Sequence, residues 1–126
     1  MRCALLVEKH AAFRQAMAHL LARELEVDVV EEASTVAEAR AIASEKPGAI
    51  DVVVGELSLP DGEATDLLVA LREAEADVPL LVLTLRRDRH YHDRTLELGA
   101  TQVMSKDAPV EEILATIRGF GGLEAD

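Results

Sequence analysis

Aromatic side chains make up only 2% of this chain, with no tryptophan, one tyrosine and two phenylalanines, so a buried core has to be built from Leu, Val, Ile and Ala. Cysteine occurs once, as Cys3, which excludes an internal disulfide framework. In a strand it reads as a small buried hydrophobe. Positive charge is also scarce: 13 Lys and Arg against 24 Asp and Glu leave a formal charge of −11, which argues against nonspecific nucleic-acid binding. Long apolar runs are missing. Stretches such as Val78–Leu83 are strand-length, far short of the roughly 20 residues of a membrane helix. Met1–Val7 leads directly into charged residues, so no secretory leader is expected, and a cytoplasmic location without membrane contact is.

What is present fits one domain of 126 residues, long enough for an ordinary hydrophobic core. Strand-length apolar runs alternate with amphipathic stretches. Strands are predicted over Arg2–Val7, Leu25–Val30, Ile50–Gly55, Val78–Thr84 and Thr101–Met104. The second is the weakest, because Glu26 and Asp28 interrupt it, a pattern that suits an edge strand. Phe13, Met17, Leu20 and Leu21 recur at helical spacing between His10 and Arg23. Thr35 and Glu38 have capping-box spacing for a helix running to about Glu45, where Pro47-Gly48 stops it. A third helix runs from the Pro60-Asp61-Gly62 turn to about Glu75. A polar fourth spans Arg87–Leu98 with Gly99 as its C-terminal cap, and a last one follows Pro109 to about Arg118. Residues 1–118 should form the domain, and 119–126, opened by Gly119, Gly121 and Gly122, the start of a linker or tail.

Five such β-α units imply a doubly wound α/β fold with a five-stranded parallel sheet. The flavodoxin-like strand order 2-1-3-4-5 fits this length. Ligands bind such sheets at the carboxyl ends of the strands. There the pattern brings together Glu8 and Lys9, Glu56, Thr84 and Lys106. A second feature stands out in so acidic a chain: Arg86, Arg87, Arg89, His90 and Arg94, with Tyr91 among them. This segment reads either as a solvated helix face or as a surface for an acidic partner, with Tyr91 as its apolar anchor. His90 and His92 fall on different sides of a helix and make a poor metal pair. His10 and His19 have no partner that the sequence reveals. Asp61, beside Gly62, reads as turn chemistry.

Leu5-Leu6-Val7-Glu8-Lys9-His10 with Phe13-Arg14, Asp51–Pro60, Leu81–Thr84, Gly99-Ala100 and Lys106-Asp107, in this order and spacing, resemble the receiver domains of response regulators, above all those preceding a helix-turn-helix DNA-binding domain. The resemblance implies two acidic residues after the first strand, a phosphate-accepting Asp after the third, Thr or Ser after the fourth and Lys after the fifth. Thr84 and Lys106 match, and Glu8 keeps the charge of its position. Lys9 stands where the family has a magnesium ligand, and Glu56 where it has the phosphoacceptor. An ammonium offers Mg²⁺ no lone pair, and Glu56 is one methylene too long for in-line transfer. The family's aromatic switch position is Val103 here, which leaves Thr84 readable either as part of a switch or as an ordinary strand-end Thr.

The expectation is a phosphorylation-independent pseudo-receiver, not an enzyme, with no metal and no cofactor. It acts by contact, with a partner or its own effector domain, or as a homodimer through the last two helices and the fifth strand. The alternatives are a small-molecule sensor using the former phosphate pocket and, third, a working phosphoacceptor.

Overall fold

The computed structural model describes residues 3–45, 48–73 and 77–120. In chain order the elements are β1 (Cys3–Val7), α1 (Ala11–Glu24), β2 (Val29–Ala33), α2 (Val36–Glu45), β3 (Ile50–Gly55), β4 (Ser58–Leu59), β5 (Gly62–Glu63), α3 (Ala64–Glu73), β6 (Leu80–Thr84), α4 (Arg89–Glu97), β7 (Gln102–Ser105) and α5 (Val110–Gly119). β4 and β5 form a short antiparallel pair. The other five strands make one parallel sheet in the order β2-β1-β3-β6-β7. Without the small hairpin that order is 2-1-3-4-5, the expected doubly wound topology.

Alternation along the strands divides the aliphatic core into two layers. Leu5, Val7, Val53, Leu80 and Val82 face one side, packed by Val36 and Ala39 of α2 and by Leu67, Leu68 and Leu71 of α3. Leu6, Val54, Leu81 and Leu83 face the other, packed by Met17 and Leu21 of α1 and by Ile113, Leu114 and Ile117 of α5. β1 and β6 are buried along their full length, as their continuous apolar runs require.

β2 differs from its predicted span, starting at Val29 and taking in Glu31 and Glu32. Leu25 instead closes α1, donating its N–H to the Leu21 carbonyl and burying its side chain among the α1 and α5 residues. Two glutamates are tolerated because β2 is an edge strand; Glu32 pairs with Arg14 at 3.2 Å. The fourth helix is shorter than expected, since Asp88 is its N-cap and accepts the Tyr91 N–H. Phe120 is buried in the α1–α5 layer, so packing continues two residues past 118. Arg2, Pro47, Glu75, Gly121 and Gly122, named in the sequence reading, lie outside the described residues.

Candidate functional site

The carboxyl ends of β1, β3, β6 and β7 are tied by main-chain hydrogen bonds. The Glu56 N–H donates to the Val7 carbonyl at 3.1 Å and the Lys106 N–H to the Thr84 carbonyl at 2.9 Å. Gly55 makes the first of these approaches possible, because a Cβ there would lie 2.4 Å from the Val7 carbonyl oxygen. The backbone therefore hangs Glu8 and Glu56 side by side, and Lys106 reaches them from β7.

The Lys106 ammonium lies 2.6 Å from Glu8 Oε1 and 2.5 Å from Glu56 Oε2, over the Phe13 ring at 4.7 Å. Lys9 Nζ takes the other Glu56 oxygen at 3.2 Å. His10 was missed in the sequence: its N–H donates to Glu8 Oε2 at 3.0 Å, and its Nδ1 lies 3.3 Å from Glu8 Oε2 and 3.7 Å from Glu56 Oε2. Only its position two residues beyond Glu8, where the chain turns into α1, could have pointed to it. Arg14 donates to the Glu8 carbonyl at 2.9 Å. With His10 neutral, two carboxylates and two ammoniums sum to zero.

Side-chain exposure separates the two cations: 1% for Glu8, 15% for Glu56 and 9% for Lys106, but 39% for Lys9. Lys106 is a buried partner and Lys9 a half-solvated one. Burial opposes the charge of Glu56, but hydrogen bonds from Lys106 and Lys9 outweigh it and hold its carboxyl below the usual range. Burial likewise opposes the Lys106 charge, and its bonds to Glu56 and Glu8 push the ammonium upward.

Thr84 is buried, and its Oγ1 accepts the Arg86 N–H at 3.0 Å. Arg86 stacks over Tyr91 at 4.2 Å and pairs with Asp88 at 3.2 Å, and His92 Nε2 donates to the Arg86 carbonyl at 2.7 Å. Tyr91 and Val103 both pack against the α2–α3 layer, so the fold's aromatic in this region sits on α4 rather than on β7. Arg87 lies 3.7 Å from Asp107 and Arg94 3.6 Å from Glu63, while Arg89 and His90 are exposed. A pocket of about 300 Å³ opens between the two groups, lined by His10, Glu56, Thr84, Leu85, Arg86 and Lys106 among others. Asp61 does more than make a turn. Its carboxylate accepts the Val36 and Ala37 N–H groups at 2.8 and 3.0 Å, capping α2 from 25 residues away, and these bonds lower its pKa.

Residues 4–118 match the response regulator receiver domain family. This chain belongs to that family. The receiver domain is 36% identical over 120 residues to the photosynthetic apparatus regulatory protein RegA of Cereibacter sphaeroides, covering 95% of this chain and 63% of RegA. It is 32% identical over 117 residues to the DNA-binding transcriptional activator DevR/DosR of Mycobacterium tuberculosis, covering 92% of this chain and 52% of that protein. The chain thus spans little more than half the length of these relatives. The non-phosphorylated HemR receiver domain from Leptospira biflexa superposes with a TM-score of 0.80 at 30% identity, covering 100% of this chain and 98% of that one. No helix among the described residues is long and apolar enough to cross a membrane.

The receiver's pocket does not fit the magnesium ion that the family pattern implies. Mg²⁺ requires a near-octahedral shell of hard oxygens. Here Lys106 already takes an oxygen of both carboxylates, and Lys9 puts a second ammonium beside Glu56. Glu8, His10 and Glu56 do place one ligand atom each within 4.8 Å of one another, but two ammoniums border that group.

Proposed function

We propose that this receiver works without phosphorylation, as a regulatory contact module rather than an enzyme, in a longer protein that controls transcription. One observation carries the reading. The Lys106 ammonium is held between Glu8 and Glu56, with Lys9 on the remaining Glu56 oxygen, so the pocket's charges are already balanced. In-line phosphoryl transfer depends on metal neutralisation and positioning, and Lys9 and Glu56 supply neither. The match to a receiver-bearing transcriptional activator fits a DNA-binding effector as the partner within that longer chain. The outlets for the signal are α4, β7 and α5, to that effector or to a second copy in a homodimer.

A second reading has its own observation. The pocket of about 300 Å³ beside Thr84 is at the small end of ligand cavities, which fits a small-molecule sensor.

Thermal unfolding with and without ~10 mM Mg²⁺ plus beryllofluoride, a phosphoryl mimic, tests the first reading. A site holding the ion at ~1 mM would add about 1.4 kcal/mol, or roughly 5 °C at about 2.1 cal/mol/K per residue. No shift is expected. A rise of that size that Glu56→Gln removes overturns the proposal.

A further inference from the structure

Four of the chain's 13 basic residues fall in the run Arg86–Arg94, where helix electrostatics argue against some of them. Arg89 and His90 open α4, whose first turn has no acidic residue, so both stand at the positive end of the helix dipole. The nearby Asp88 carboxylate is taken by Arg86 and the Tyr91 N–H. Arg87 meets Asp107 only at 3.7 Å, with the two side chains 80% and 67% exposed. Arg89 and His90 have no ion pair among the described residues. Leu85, just ahead of these residues in the chain, is 62% exposed at the mouth of the pocket that Arg86 and Tyr91 also line. A single exposed leucine is ordinary. A leucine at a pocket mouth beside Arg86, followed in the chain by the loosely paired Arg87 and by Arg89, unpaired among the described residues, on a molecule of charge −11, makes a surface complementary to carboxylates.

We propose that the loop Leu85–Asp88 and the first turn of α4 dock an acidic segment of a partner protein. Its carboxylates meet Arg87 and Arg89, and an apolar side chain covers Leu85 at the pocket mouth. This rests on the contact-driven reading above and names the chemistry of the partner. A short acidic segment fits this surface better than a second copy of this chain, because two whole bodies that each carry −11 repel one another.

The test is NMR titration of the ¹⁵N-labelled chain with three synthetic peptides of about 12 residues: one with a central Leu flanked by Glu, and the same peptide with Gln or Lys in place of Glu. The Glu peptide should give saturating shifts centred on residues 84–92, with binding weakened at least about tenfold between ~50 and ~300 mM NaCl. The Gln peptide should bind at least about tenfold more weakly and the Lys peptide not at all. Arg87→Gln/Arg89→Gln should lose the same factor without a lower Tm, and Leu85→Ala should lose less. No shifts, shifts centred elsewhere, equal binding of the Gln peptide, or full binding by the double variant overturns the proposal. So does self-association in sedimentation that the double variant abolishes, which would give the surface to a second copy. Repeating the titration with Mg²⁺ and beryllofluoride separates the two readings. A response at Glu56 with unchanged peptide binding refutes phosphorylation independence alone, and absent peptide binding refutes only the docking surface.

Discussion

Replacing Lys106 by Met keeps the aliphatic stem over Phe13 and deletes the ammonium. Glu56 retains Lys9 at 3.2 Å, but Glu8, 1% exposed, loses its 2.6 Å ion pair. Stranding a buried charge in this way costs about 3–5 kcal/mol. Protonation limits the cost: neutralising an ordinary glutamate takes about 1.4 kcal/mol for each pH unit above roughly 4.3, hence about 3.7 kcal/mol at pH 7. The expected loss at pH 7 is therefore about 3–4 kcal/mol. For 126 residues that is a Tm lower by about 11–15 °C. At pH 5 protonation is cheap, and the loss should shrink to about 1 kcal/mol. Glu8→Gln/Lys106→Met, which removes the stranded charge, should recover at least half of the loss. Lys9→Met should cost under about 1 kcal/mol, because a half-solvated pair is worth little. Calorimetry or thermal circular dichroism at pH 5 and pH 7 measures all four proteins. A drop below about 4 °C for Lys106→Met, or a loss equal at both pH values, refutes the buried-pair account.

Gly55→Ala should destabilise by about 1–3 kcal/mol in chemical denaturation, because its Cβ would meet the Val7 carbonyl oxygen at 2.4 Å. Asp61→Ala should lower the Tm by less than Lys106→Met does, and should speed amide exchange first at Val36 and Ala37, whose N–H groups it leaves without an acceptor. Stability against pH should show a plateau. The lowered carboxyls of Glu56, Asp61, Asp88 and Glu38 contribute above their ordinary values of 3.8–4.5, and that contribution fades as pH falls through the lowered ones. Lys106, raised above 10.5, contributes below that value and loses its part as pH climbs through the raised one. A denaturation series across pH 2–12 checks both edges, and Lys106→Met should erase the alkaline one.

The buried strands are legible because burial on both faces demands a nearly continuous apolar run, which β1 and β6 have and β3 breaks only at Asp51. Glu8, Glu56, Thr84 and Lys106 could be placed together because they follow strand ends in one parallel sheet. β2 was read too early because an edge strand tolerates Glu31 and Glu32, which erases its apolar signature, while Leu25 belongs to α1. The partners of His10 and the cap that Asp61 gives to α2 are tertiary contacts without local periodicity. Nor does spacing tell which lysine is buried. Both reach Glu56, but Lys9 extends toward solvent at the sheet's end and Lys106 lies over Phe13.

The close approach of Gly55 to Val7 has a consequence for how such a domain changes its trade. The peptide backbone, through the Glu56 N–H on the Val7 carbonyl and the Lys106 N–H on the Thr84 carbonyl, sets where residues 8, 56 and 106 stand. None of these tethers uses a side chain of the pocket. The receptacle and its contents are therefore separable. Two replacements, Lys9→Asp and Glu56→Asp, would restore the acidic set of the family pattern on the same scaffold. The side chains of the pocket can be exchanged while the main-chain tethers that carry them stay as they are.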